Sequence, residues 1–273
     1  MNLPKVSIIV TTYNEEKNIK TLILSCFSQN YKNIELILVD STRATDKTLE
    51  VAKNLGVKTY KYGKERSAQR NYGASKSKGE YVLILDADMK LSPSVVSDCV
   101  KSGFSALVIP EKSYGQSYWA KCKALERNCY IGDPQIEAPR LFRKDIFIKA
   151  GGYDTKMVSG EDWDLRERVK KLGKTGRIDK FIYHNEGHLS LFGDLKKKLY
   201  YSKESDSFIK NNVSNTKQVF NFIFRPAYFR NWRMLISDPV HLPGFIIMKT
   251  LEFVVGAAVI VSKPIFWHKI TKI

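Results

Sequence analysis

Tyr81-Val82-Leu83-Ile84-Leu85-Asp86-Ala87-Asp88 is the stretch on which the reading of this chain turns. Its apolar run has no polar alternation, as in a strand of a parallel sheet covered on both faces. Two carboxylates one residue apart stand where that strand runs out. Hard oxygen donors at this spacing suit Mg2+ or Mn2+, ions that share their coordination with substrate phosphates. Asp also favours strand-end turns through local hydrogen bonds, so the triplet takes its meaning from its neighbours.

Upstream, Val6 to Thr12 is a second unbroken apolar and β-branched run, followed by the turn Tyr13-Asn14-Glu15-Glu16 and by Ile19, Leu22, Ile23 and Cys26 at helical spacing. Ile34 to Asp40 reads as a strand ending in an acid, Asp46 to Asn54 as a helix, Val57 to Tyr60 as a weaker strand and Ser67 to Ser75 as a helix. Downstream, Ala106 to Pro110 and Arg140 to Phe142 read as strands, and Tyr118 to Tyr130 and Asp162 to Leu172 as helices, with a turn at Gly151-Gly152-Tyr153. Strand and helix alternate, which predicts an α/β fold around a parallel sheet with right-handed crossovers. In such sheets ligands gather at the carboxyl ends of the strands, where Tyr13, Glu15, Asp40 and Asp86 all fall.

With 273 residues, 43% of them hydrophobic, the chain can bury a full core, and a disordered chain is excluded. Cys26, Cys99, Cys122 and Cys129 form no C-x-x-C pair and sit in apolar or helix-like contexts, which points to buried thiols in a reducing compartment. The first residues run straight into a strand and lack the apolar core of a signal peptide, so a cytoplasmic location is expected. A net charge of +17 calls for a polyanionic neighbour, either nucleic acid or an anionic membrane surface.

Composition shifts near residue 190. Lys196-Lys197-Lys198 with Tyr200 and Tyr201 opens a basic aromatic stretch, and Phe220 to Leu235 interleaves aromatic residues with Arg225, Arg230 and Arg233. That mixture suits a helix in a headgroup layer. Gly244 to Val261 has the length of a membrane span, but Lys249 and Glu252 make crossing expensive, so an interfacial or re-entrant helix is expected before a true span or a buried core helix. Two parts are predicted: a catalytic domain over 1–190, and over 191–273 a helical appendage that associates with membrane as a peripheral or monotopic element.

Several motifs, in order, resemble those of the inverting family 2 glycosyltransferases over roughly residues 4 to 190. They are Val6 to Glu15, Val39-Asp40 with Thr45-Asp46-Lys47-Thr48, Arg66-Ser67-Ala68-Gln69-Arg70-Asn71-Tyr72-Gly73, Asp86-Ala87-Asp88, and Glu161-Asp162-Trp163-Asp164-Leu165 with Arg168. The resemblance implies a GT-A fold, a Rossmann-like mixed sheet that binds a nucleoside-diphosphate sugar, here a UDP- or GDP-sugar. It further implies that Tyr13, Glu15 and Asp40 hold the nucleoside, that Thr12, Asp86 and Ala87 also contact the donor, and that Arg66 and Arg70 meet the diphosphate. Asp86 and Asp88, with His184, would hold Mn2+ or Mg2+. Asp162 would be the base, with Glu161 and Trp163 on the acceptor side. His184 and His188 follow the catalytic helix, where related enzymes place a metal or diphosphate contact. Asp40 to Asp46 lacks the family's second acid and Gly and is one residue longer, which leaves base selectivity open.

The activity implied is hexosyl transfer to a hydroxyl of a lipid-linked glycan at the cytoplasmic face of the membrane. A polyprenyl-phosphate (dolichyl-phosphate) glycosyltransferase is the nearest alternative, since an ionised phosphate oxygen needs no base. A nucleotidyltransferase would begin with a glycine-rich phosphate loop, and residues 4 to 20 contain no glycine. A nucleic-acid-binding module would account for the charge but has no need of an Asp-x-Asp at a strand end, so no nucleic-acid partner is expected.

Overall fold

The computed structural model of the chain describes residues 3–203 and 225–261. Its central sheet is built from β1 (Val6–Thr12), β2 (Ile34–Asp40), β3 (Lys58–Lys61), β4 (Tyr81–Asp86), β6 (Ala106–Val108), β8 (Pro139–Arg143) and β9 (Thr175–Arg177), in the order β3-β2-β1-β4-β8-β6-β9. Strand β8 runs antiparallel to both of its neighbours, β4 and β6, while the other pairings are parallel. The sheet is therefore mixed, with the antiparallel strand at Arg140 to Phe142, inside a pattern that the alternation of elements alone read as parallel.

Why the strands read as unbroken apolar runs is visible in their packing. Ile8, Val10, Leu83 and Leu85 pack on one face with Ile19, Leu22 and Ile23 of α1 (Glu16–Phe27). Ile9, Val82 and Ile84 pack on the other with Phe147, Tyr153 and, from α7 (Glu161–Lys170), Leu165 and Val169. Both faces are covered, so alternation has no water to serve; each fully buried Ile or Leu contributes about 1.5–3 kcal/mol.

Register then fixes the site. Thr12 pairs with Asp40 and Thr11 with Asp86, so the acids that close β2 and β4 flank the end of β1. Helix α3 (Arg66–Lys76) lies directly on β1: a Cβ on Gly73 would stand 2.4 Å from Ile9 Cγ2, so only glycine allows the approach. A smaller sheet, in the order β5-β10-β7, joins β5 (Met89–Leu91), β10 (Ile182–Asn185) and β7 (Glu111–Tyr114). Its antiparallel β5–β10 register sets His184 opposite Met89, next to the Asp86-Ala87-Asp88 turn. These short strands, with α4 (Val95–Ser102) and α6 (Lys144–Lys149), add to the elements read from the sequence. Helix α2 (Thr48–Asn54) starts two residues after its expected first residue; Asp46 stands ahead of it and accepts from Thr48 N.

The chain divides into two compact units. The first comprises 1–112, 131–156 and 161–185 and contains the central sheet; the second comprises 113–130, 157–160 and 186–273. Within the second, α5 (Tyr118–Asn128), α8 (Leu191–Lys203), α9 (Ala227–Arg230), α10 (Trp232–Ile236) and α11 (Leu242–Val261) are described. Helix α11 packs on α5 and α8, with Cys122, Leu125, Phe245 and Met248 at the core. Of the basic aromatic stretch, residues 220–224 lie outside the described residues. All four cysteines are buried free thiols, as their apolar contexts suggested.

Candidate active site

The nucleoside side of the expected site is assembled at the ends of β1 and β2. Asp40 is buried, and the Thr12 hydroxyl donates to its Oδ1 at 2.6 Å. Burial pushes the Asp40 carboxyl above its ordinary range, against the bonds donated by Thr12 and Ser41. The Gln69 side-chain amide donates to the carbonyls of Thr12 and Val39, pinning the two strand ends to α3. Tyr13 is exposed, with the Arg43 guanidinium 5.5 Å from its ring centroid. Asn14 takes a positive φ of 56° and accepts from Thr45 N, which holds the two loops together. Glu15 accepts from Asn18 Nδ2 at 2.8 Å. Asp46 accepts from Glu16 N and Thr48 N, the first backbone N–H groups of α1 and α2.

Arg70 is the centre of a buried charge cluster. Its side chain is wholly buried, its Nη2 lies 2.9 Å from Asp86 Oδ1, and its Nη1 lies 3.1 Å from Asp162 Oδ1 and 3.4 Å from Glu161 Oε1. The Tyr153 ring lies 4.8 Å beneath the guanidinium, and Asn71 fixes that tyrosine by exchanging hydrogen bonds with its backbone N and O. Arg66 closes on Glu161 at 3.2 Å from a more exposed position. Asp86 is gripped again from the far side, where Arg140 Nη1 lies 3.1 Å from its Oδ2. Burial alone would raise the Asp86 carboxyl; the guanidinium groups of Arg70, Arg140 and Arg66 reverse this and hold it well below the ordinary carboxylate range. For Glu161 burial wins, reinforced by the neighbouring charge of Asp162, and its carboxyl is pushed up.

Arg140 passes the network on. Its Nη2 lies 2.7 Å from Glu111 Oε1, and Glu111 Oε2 lies 3.3 Å from His184 Nδ1. His184 Nε2 in turn lies 3.1 Å from Asp88 Oδ2. Burial would raise Glu111, but Arg140 and His184 draw it down to about 2. Asp88 Oδ1 is buried with no hydrogen-bond partner among the described residues, an expensive state for a carboxylate oxygen.

The expected site residues are therefore brought together in part. Asp86, Arg70, Arg66, Glu161 and Asp162 form one cluster; Asp88 and His184 form a pair joined to it through Glu111 and Arg140; Thr12 and Asp40 stand across β1. Ala87 is buried between the two acids. Trp163 Nε1 donates to the Ile136 carbonyl at 2.8 Å. His188 falls in the second unit. Both oxygens of Asp86 are engaged by guanidinium groups, so the donors best placed for a divalent ion are Asp88 and His184. No group of three or more His, Cys, Asp or Glu side chains arranged for a metal occurs among the described residues. Two protein donors, one with an orphaned oxygen, fit an ion that completes its shell from diphosphate and water.

Glu111 and Arg140 were not singled out in the sequence. Arg140 carried a signal: a charge inside the apolar strand Pro139-Arg140-Leu141-Phe142 needs a buried anion, and β4 next to it ends in one. Glu111 gave none, because its strand is short and polar.

Comparisons with known proteins bear on the family and the fold. The model of the family described as Glycosyl transferase family 2 matches residues 7–102. An uncharacterized glycosyltransferase of Haemophilus influenzae is 32% identical over 249 residues, spanning 81% of this chain and 76% of that protein. The GalNAc(5)-diNAcBac-PP-undecaprenol beta-1,3-glucosyltransferase of Campylobacter jejuni is 30% identical over 105 residues, 35% of this chain and 33% of that enzyme. The chain spans 38%, 60% and 57% of the lengths of three further curated relatives from Haemophilus influenzae and Rickettsia typhi. Among solved structures, S. aureus TarS 1-349 in complex with UDP aligns over 93% of this chain and 90% of its own, with a TM-score of 0.55 and 16% identity. The mannosyltransferase PcManGT from Pyrobaculum calidifontis, in complex with GDP-Man and Mn2+, aligns over 96% and 75%, with a TM-score of 0.57 and 17% identity. The shared fold is GT-A, and the chain belongs to glycosyltransferase family 2.

Proposed function

We propose that this glycosyltransferase is metal-dependent and inverting, and that it moves a hexose from a UDP- or GDP-sugar to a hydroxyl of a lipid-linked glycan at the cytoplasmic face of the membrane. Residues 1–190 would carry the chemistry and 191–273 the membrane association. The observation that carries this reading is Arg70: one buried guanidinium joins Asp86, at the end of the donor-side strand, to Asp162, at the start of α7. Two carboxylates with separate tasks are thereby held at a fixed spacing.

Asp162 is the residue suited to take the acceptor's proton. Its side chain is 31% exposed, so one oxygen can meet a hydroxyl while Arg70 orients the other. Glu161, almost wholly buried and held by Arg66 and Arg70, positions that pair of arginines instead. Asp40, which accepts from the Thr12 hydroxyl, would also accept from an N–H on the edge of the nucleobase. Asp88 and His184 would hold Mn2+ or Mg2+, with Glu111 engaging His184 Nδ1 and leaving Nε2 towards the ion. When bound, such an ion offsets the negative charge that builds on the departing diphosphate. The relative that acts on an undecaprenol-linked glycan and the solved neighbours bound to UDP or to GDP-Man with Mn2+ support the choice of donor and acceptor classes.

A thermal-shift panel of UDP, GDP and their sugars, with and without Mn2+ or Mg2+, tests the donor, since a ligand of the native state raises Tm. Asp162→Asn tests the acceptor chemistry: the nucleotide shift should persist while transfer falls by about 10²–10⁴-fold. Undiminished transfer in that variant would move the assignment to an acceptor that arrives already ionised, a polyprenyl phosphate.

A further inference from the structure

Helix α11 is long and apolar enough, by length and composition, to cross a bilayer, yet its charges face the protein. Lys249 Nζ lies 2.8 Å from Glu126 Oε1 and 2.5 Å from Glu252 Oε2. Lys123 Nζ, from α5, lies 2.7 Å from Glu252 Oε1 and 3.1 Å from Glu126 Oε2. Phe245 and Met248 are buried on the same face. A Cβ on Gly244 would stand 2.6 Å from both Cys122 Sγ and a Tyr118 ring carbon, so α11 reaches α5 with no side chain between them. The opposite face presents Ile246, Ile247, Leu251, Phe253 and Val254, all exposed. The helix is amphipathic in the inverted sense, with charge inward and hydrocarbon outward, and the two faces recur every three to four residues. Phe229 of α9 and Trp232 and Ile236 of α10 are exposed as well, beside exposed Arg230 and Arg233.

We propose that α9, α10 and α11 form a docking surface for an anionic lipid bilayer, on which α11 lies in the membrane plane and does not cross it. The inference deepens the membrane part of the proposed function. Crossing would leave two outcomes. Lys249 and Glu252 would lose Lys123 and Glu126 inside hydrocarbon, or α5 would be drawn in with its Lys121, Lys123, Glu126 and Arg127. Neither is tolerable: the eleven residues of α5 reach only about 16 Å, half of a hydrocarbon core of about 30 Å. Lying flat keeps every ion pair and still buries the apolar face. A net charge of +17, with Arg233 stacked 5.8 Å from the Trp232 ring, matches a negatively charged headgroup layer with an aromatic residue at its boundary. A second copy of this chain fits less well, since it would bring Arg230 and Arg233 against their own counterparts.

The test uses the full chain and vesicles of phosphatidylcholine with and without phosphatidylglycerol. Co-sedimentation should require the anionic lipid, and Ile247→Glu with Val254→Glu, both outside the donor site, should weaken partitioning at least tenfold while leaving the Mn2+-dependent UDP thermal shift unchanged. Nitroxides placed through Ile246→Cys and Ala258→Cys report orientation. Lying flat gives the two the same depth, whereas crossing separates them by about 18 Å, twelve residues at about 1.5 Å each. Unequal depths, nucleotide binding without vesicle binding, or a dimer that buries the Val254 face would each overturn the inference. Loss of the nucleotide shift in the parent chain would instead count against the donor reading, so the two fail separately.

Discussion

Two buried charge clusters hold this protein together, one in each unit, and they differ in how they end. In the first, Arg70 and Arg140 knit Asp86, Glu161, Asp162 and Glu111 into a chain whose outer members, Asp162 and Asp88, remain 31% exposed. In the second, Lys123 and Lys249 knit Glu126, Glu252 and Asp194, whose side chains are only 4–7% exposed. Planar guanidinium groups set two carboxylates at a fixed distance, while an ammonium group gathers whatever acids surround it. The first arrangement leaves carboxylates partly open to solvent; the second is buried between helices that it fastens. Charged residues buried together do not by themselves mark a site. What sets the first cluster apart is the partial exposure of its outer carboxylates, Asp162 and Asp88.

Breaking each cluster at its centre should expose that difference most strongly. Arg70→Met removes the common partner of Asp86, Glu161 and Asp162, and a buried pair broken on one side costs about 3–5 kcal/mol. The variant should lose that much stability by urea denaturation and lose transfer altogether. Lys249→Met leaves Glu126 and Glu252 still paired with Lys123, and the same measurement should read about 1 kcal/mol, the scale of one ordinary interaction. Equal losses in the two variants would mean that the first cluster is a fastening like the second.

A smaller effect should come from Glu111→Gln, which keeps shape but weakens the acceptor of His184 Nδ1. Residues that orient a metal-binding histidine typically alter metal affinity by about 10–100-fold, and about tenfold is expected here because the Glu111–His184 contact is long at 3.3 Å. Mn2+ binding in the presence of UDP, followed by the signal of free Mn2+, should show the loss, with UDP affinity in the absence of metal unchanged. Unaltered Mn2+ affinity would reduce Glu111 to a partner of Arg140.

The same contrast explains what could be read in the sequence. The strands β1, β2 and β4 were legible because both of their faces are buried, which removes polar residues from the run. The acids at their ends were legible because topology places strand ends together. Asp86 looked like a metal ligand because its spacing from Asp88 is all that the sequence displays; that Arg70 and Arg140 occupy both of its oxygens depends on α3 and β8 arriving from residues 66–76 and 139–143. Glu111 sits on a strand too short to show a period. In the tail, Lys249 and Glu252 were legible as obstacles to spanning, but their partners Lys123 and Glu126 lie more than a hundred residues away, and only packing reveals that the charged face is the inner one.

The smallest expected effect tests whether the second cluster is closed. Asp194 sits 3.6 Å from Lys123; burial, followed by the hydrogen bond with Glu252, pushes its carboxyl from 3.8 to about 6. Glu252 is drawn the other way, to about 2, by Lys123 and Lys249 against its own burial and Glu126. An acid with a raised value in the folded chain stabilises that chain when protonated. Its contribution is fully present below about 3.8 and is lost as pH rises through about 6. The parent chain should therefore lose on the order of 1 kcal/mol between pH 5 and 7 from this group. Asp194→Asn, which cannot ionise, should flatten that part of the profile in urea midpoints measured across the range. An unchanged slope in the variant would mean that Asp194 is already solvated, and that the second cluster is as open to water as the first.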